Sequence, residues 1–170
     1  FFLLRIQTPG QLTKTAFMAK SKTPKDYQIP TTALYLGLGG LIPMAAFGLA
    51  MWIPEYNVFS TSALRNYGAI ILSFVGAIHW GIALGLPGTA QIRRLSFSVI
   101  PPLYSWSTFI LPDILAIVAL GVGFIGAYWF DVHEQRQNLV PIWYLRLRLP
   151  LTAAVILILI NAGIATFLIS

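Results

Sequence analysis

The chain has 170 residues, of which 57% are hydrophobic and only 9% charged, against about 25% charged in an average soluble domain. Polar surface is too scarce to cover a soluble core, which makes this a single-domain integral membrane protein. There is no cysteine, so disulfides, thiolate metal sites and thiol nucleophiles are excluded; the net charge of +6 sits beside hydrophobic runs, where it bears on topology rather than on nucleic acid.

Residues 1–30 form a basic arm, with Arg5, Lys14, Lys20, Lys22 and Lys25 against the single acid Asp26. Such acid-poor N-termini occur beside mitochondrial targeting sequences. The arm is expected to lie on the matrix side and to grip a neighbouring subunit. Residues 31–170 then supply the membrane domain. Its first span, Ala33 to Ile53, carries Pro43, which should kink it, and Gly37, Gly39, Gly40 and Gly48 as close-packing points.

The second span, Tyr67 to Leu86, is the most informative. It is twenty residues without Asp, Glu, Lys or Arg, about enough for a helix to cross a hydrocarbon core of roughly 30 Å. Ser73, Ala77, Gly81 and Gly85 recur every four residues, a strip of small side chains along which another membrane helix could approach closely. His79 is its only ionisable group. Intramembrane ionisable residues point by default to proton relays, cofactor ligands or substrate sites. A structural histidine bonded across the bundle to Asn161, Tyr104 or Ser73 is the commoner case and the one expected here.

Leu95 to Phe130 is 36 residues with one charge, Asp113. As a single helix it would run about 54 Å at ~1.5 Å per residue, far more than a bilayer core. It therefore divides at Pro112-Asp113 into a third span, residues 95–111, and a fourth, residues 114–130, with Asp113 at an interface. Pro101-Pro102 should bend or partly unwind the third. Tyr128, Trp129 and Phe130 end the fourth as an interfacial belt.

Residues 131–150 read as a loop of mixed charge, ending in Trp143, Tyr144, Arg146 and Arg148 at headgroup level. Leu151 to Ile169 is the fifth span, interrupted by Asn161. Asp131 and Glu134 are expected to be solvated at the interface. Arg93, Arg94, Arg146 and Arg148 are candidates for phospholipid head groups such as cardiolipin. The expected fold is thus an all-α membrane protein, a bundle of five transmembrane helices with a basic arm. Ten of the eleven Lys and Arg fall on one side of such a bundle and Arg65 alone on the other. The positive-inside bias puts the N-terminus in the matrix or bacterial cytoplasm and the C-terminus outside.

No Ser/His/Asp arrangement or metal-ligand cluster is apparent, and haem ligation by His79, His133, Met18, Met44 or Met51 lacks a suitable pair. No enzyme activity and no cofactor beyond bound phospholipid is expected. LGLGGLIP (Leu36–Pro43), YGAIILSFVGAIHWGIAL (Tyr67–Leu84), SVIP (Ser98–Pro101) and PIWYLRLRLPLT (Pro141–Thr152) follow one order. Together they resemble the small multi-span family that includes transmembrane protein 69, with members in proteobacteria and mitochondria. That family is a domain of unknown function, so it lends no site residues. It implies the mitochondrial inner membrane for a eukaryotic member. The expected role is an accessory, non-catalytic subunit of a respiratory assembly (cytochrome oxidase, a supercomplex or ATP synthase) that packs, binds lipid and stabilises, with other membrane subunits and phospholipids as partners. The alternatives are a small carrier or proton-conducting channel using His79, and a transient assembly factor.

Overall fold

The computed structural model describes residues 28–136 and 140–169, so nearly all of the basic arm lies outside the described residues. Five α-helices follow one another: α1 (Thr31–Ala50), α2 (Asn57–Ala83), α3 (Gly88–Ser107), α4 (Asp113–Arg136) and α5 (Ile142–Ile169). Short 3-10 turns at Pro54–Tyr56 and Thr108–Ile110 precede α2 and follow α3. There is no strand among the described residues. In a bilayer a helix satisfies its own backbone polar groups, so an apolar chain of this kind has little alternative.

α1, α4, α5 and α2 together with its preceding turn are long and apolar enough to cross a membrane. Their large side chains project outward in number: Leu36, Ile42, Phe74, Val118, Ile125, Leu157 and Phe167 are all exposed. A soluble monomer does not present so continuous an apolar surface. Inside, Met44, Leu64, Leu72, Ile117, Leu120, Phe124, Leu159 and Ala162 make one core. α1 lies at the margin, packed on α2 and α5, with only Met44 and Gly48 buried.

Several boundaries differ from the sequence expectation, each for a physical reason. α2 begins ten residues before Tyr67, because Ser60, Thr61 and Leu64 already face the interior. α4 continues past Phe130 to Arg136, and α5 starts at Ile142 rather than Leu151, so most of the expected 131–150 loop is helix. The polar residues that argued for a loop are paired across the bundle, as described below. α3 holds Pro101 and Pro102 within one continuous helix. Pro102 has no N–H for the Ser98 carbonyl. That carbonyl faces Gly76 of α2, whose missing side chain allows the approach: a Cβ there would lie 2.7 Å from Ser98 O. α3 starts at Gly88, at φ 62° in the left-handed region that glycine tolerates.

The helices alternate in direction. Arg94 near the start of α3 meets Glu134 near the end of α4. Arg65 near the start of α2 meets Asp113 at the start of α4, and its Nη2 donates to the carbonyls of Thr108 and Leu111, each at 3.1 Å. All five helices therefore run between the same two ends.

Candidate functional site

Four helices bring ionisable side chains together at one end of this bundle, and helical periodicity decides which. In α2 the inward stripe runs Leu64, Gly68, Leu72, Val75, His79, Ala83. In α3 it runs Arg94, Ser98, Pro101, Ser105, in α4 Ala127, Asp131, Glu134, and in α5 Tyr144, Arg148, Thr152, Val155. Steps of three and four keep each stripe on one face. His79, Arg94, Asp131 and Glu134 are 0% exposed, so these charges are interior.

Two carboxylates organise the cluster. Glu134 accepts from Arg94 Nε through Oε2 and, at 2.7 Å, from Arg93 Nη2 through Oε1. Asp131 accepts from Arg148 Nε at 2.9 Å through Oδ2 and, at 3.4 Å, from the Tyr144 hydroxyl through Oδ1. His79 Nε2 also stands 2.9 Å from Asp131 Oδ1, but outside the angular range of an aligned hydrogen bond. It is a close contact, not a directed bond. Its ring lies edge-on to Phe97 and Phe130, at 5.3 and 5.0 Å between centroids, and those two phenyl rings stack on each other. Arg94 and Arg148 bring two positive charges to the interior and Asp131 and Glu134 two negative ones, a balance that a low-dielectric site requires.

Hydrogen bonding is incomplete within this balance. Arg94 Nη1 and Nη2, Arg148 Nη2, Thr152 Oγ1 and His79 Nδ1 are buried without a partner. No group of three or more His, Asp or Glu is placed to hold a metal ion among the described residues.

Asp131 and Glu134, expected to be solvated, are instead buried and paired, because an inward helical position offers arginine rather than water. Arg94 and Arg148, expected to face head groups, are drawn inside by those carboxylates. Arg93 and Arg146 do face outward: the Arg93 side chain is 43% exposed and Arg146 is exposed. His79 meets Asp131, not Asn161, Tyr104 or Ser73. Asn161 lies at the other end, accepting from Trp52 Nε1 at 3.0 Å and donating to Gly48 O at 2.9 Å. Tyr104 donates to Ala119 O at 2.8 Å, and the Ser73 and Ser105 hydroxyls are 2.9 Å apart. Of the small-residue strip only Ser73 reaches a neighbouring helix. Ala77 and Gly81 are exposed and Gly85 lies beyond the end of α2. His133 is exposed and stacks beside Trp129, with ring centroids 6.2 Å apart. Met44 and Met51 belong to the core, and Met18 lies outside the described residues. The 4-3-4 spacing of Arg94, Ser98, Pro101 and Ser105 is a signal in the sequence that could have placed Arg94 inward.

A family model described as "Protein of unknown function (DUF3429)" matches residues 29–164, the whole length that carries these stripes. Transmembrane protein 69 of Xenopus tropicalis is 33% identical over 142 residues, covering 78% of this chain and 54% of the frog protein. Transmembrane protein 69 of Mus musculus is 37% identical over 99 residues, 55% of this chain and 40% of the mouse protein. The chain thus spans about half the length, or less, of these curated relatives. No solved structure matches it. On the length of the family match and on these identities, the chain belongs to the transmembrane protein 69-like family, a membrane-protein family of unknown function.

Proposed function

We propose that this chain is an accessory, non-catalytic subunit of an assembly in the mitochondrial inner membrane, of the respiratory kind: cytochrome oxidase, a supercomplex or ATP synthase. The observation that carries the reading is the buried ion cluster, which ties α2, α3, α4 and α5 at one end and spends its charges on one another. Carriers and channels keep polar groups lined along a path. Here the middle of the bundle is filled by Met44, Leu72, Leu120 and Phe124. A rigid body with an apolar exterior is what a packing subunit requires. Ala77 and Gly81 leave a shallow outward surface on α2, with nothing within 4 Å of a Cβ built at Gly81. The mitochondrial placing rests on the family likeness and the one-sided distribution of Lys and Arg, which puts the Arg93/Arg94 end in the matrix.

The test is gentle solubilisation of the native membrane and separation of intact assemblies by size. The chain should co-migrate in equal amount with one large complex, and deleting it should lower the yield of that complex. Recovery solely as a free monomer overturns the proposal.

One contact favours a second reading, a proton-handling carrier: His79 Nε2 lies close to Asp131 while His79 Nδ1 is unpartnered. Replacing His79 with Leu separates the two. A packing subunit loses stability or assembly, whereas a carrier loses flux with assembly intact.

A further inference from the structure

We infer that the cavity between α1, α2 and α5 holds one acyl chain of an anionic phospholipid, with its phosphate bound by Arg148 and Thr152. The cavity has a volume of about 660 Å³, within the range of sites that enclose one small ligand, roughly 300–1,000 Å³. Its walls are overwhelmingly apolar, with Met44, Phe124 and Val155 among them. Glycine keeps it open on the α1 side, since a Cβ built at Gly40 would meet only Tyr67 Oη, at 4.0 Å. Arg148, Thr152 and Tyr144 also line it and place the polar lining toward the start of α5.

An apolar cavity alone would not select a ligand in a membrane. A lipid tail gains nothing by leaving other tails for leucine side chains, so selection must come from the head. Arg148 Nη2 and Thr152 Oγ1 are buried donors without a partner, and both residues are 7% exposed. Such donors cost free energy until an acceptor arrives, the more so where water is scarce. Arg148 Nε and the Tyr144 hydroxyl already serve Asp131, so that carboxylate leaves Nη2 to another acceptor. A guanidinium N–H beside a hydroxyl calls for an anionic oxygen. Arg93 and Arg146 add positive potential at the same end, which favours a phosphodiester at the membrane boundary over a neutral head. The inference concerns the isolated chain and stands apart from membership of any assembly.

The full chain, delipidated in mild detergent, is titrated with dioleoylphosphatidylglycerol, dioleoylglycerol or oleate and read by native mass spectrometry. Phosphatidylglycerol should bind one per chain, about tenfold more tightly than dioleoylglycerol, which has the same tails and no phosphate. Thr152→Val, which removes the hydroxyl but not the bulk, should lower that preference severalfold. Gly40→Leu, which fills the cavity from the opposite wall, should abolish tight binding of both lipids. Thermal unfolding of the delipidated variants should match the wild type. Equal binding of the two lipids overturns the inference. So does a preference that Thr152→Val leaves unchanged, or a site that takes oleate and leaves phosphatidylglycerol unbound.

Discussion

Replacing Glu134 with Gln keeps the shape of the side chain and removes its charge from a site with no solvent contact. Arg94 then remains 0% exposed, with a positive charge and two nitrogens that already lack partners. Breaking a buried pair by removing one member costs about 3–5 kcal/mol, because the survivor is left uncompensated. The Gln carbonyl can still accept one bond from Arg94 Nε, which places the cost near the lower figure. Arg93 changes the sum little, since its side chain is 43% exposed and can turn to water. The double variant Arg94→Met, Glu134→Leu removes both charges and fills the space, an exchange that is neutral or stabilising in other buried pairs. Reversible unfolding in mixed micelles of rising sodium dodecyl sulfate fraction measures all three proteins. Glu134→Gln should lose about 3 kcal/mol, the double variant should recover most of it, and the coupling should exceed about 2 kcal/mol. A loss below about 1 kcal/mol in Glu134→Gln is what an exposed pair gives, and would refute the reasoning.

Gly76→Ala should destabilise the α2–α3 contact by about 1–3 kcal/mol, because the new Cβ would lie 2.7 Å from a backbone carbonyl and 3.0 Å from Pro102 Cδ. Gly81→Ala, with nothing within 4 Å, is the control and should be neutral or slightly stabilising by helix propensity; thermal unfolding of the two side by side is the measurement. Topology can be read directly because the chain contains no cysteine. Single replacements Glu55→Cys and Arg136→Cys, both at exposed positions, should react with an impermeant thiol reagent from opposite faces of the membrane. Labelling of both from one face refutes the alternating arrangement.

The existence of the helices was legible because runs free of charge as long as Tyr67 to Leu86 have little other fate in a bilayer. Their ends were less so. Reading Asp131, Glu134 and Arg148 one at a time assigns each the cost of an isolated charge in lipid, which pushes them into a loop. That cost is offset when a carboxylate and a guanidinium enter together, and which helices are neighbours is not written in any one segment. The small-residue strip misleads for a geometric reason. At about 3.6 residues per turn, a repeat of four advances roughly 40° around the helix at each step. Ser73 thus faces α3, whereas Gly81, two steps on, faces out. The true interior stripe of α2 mixes steps of three and four, and it leads from Leu64 to His79.

α3 shows why apolarity alone misses a helix that runs the length of the bundle. It is not among the helices long and apolar enough to span, since Thr89, Gln91, Arg93 and Arg94 occupy its first turns and Ser98, Ser105 and Ser107 follow. Polar groups in its first turns and just past its end are nonetheless tied to other helices. Arg94 is bound to Glu134 at one end, and Thr108 O receives Arg65 Nη2 at the other. Twenty residues give about 30 Å of helix, enough to join those ends. Were α3 to lie along one face instead of crossing, α4 would begin at the Arg94 end and Asp113 could not reach Arg65. The Arg65–Asp113 pair exists. With that pair in place, five helices among the described residues run from one end of the bundle to the other, and residues 28 and 169 lie at opposite ends.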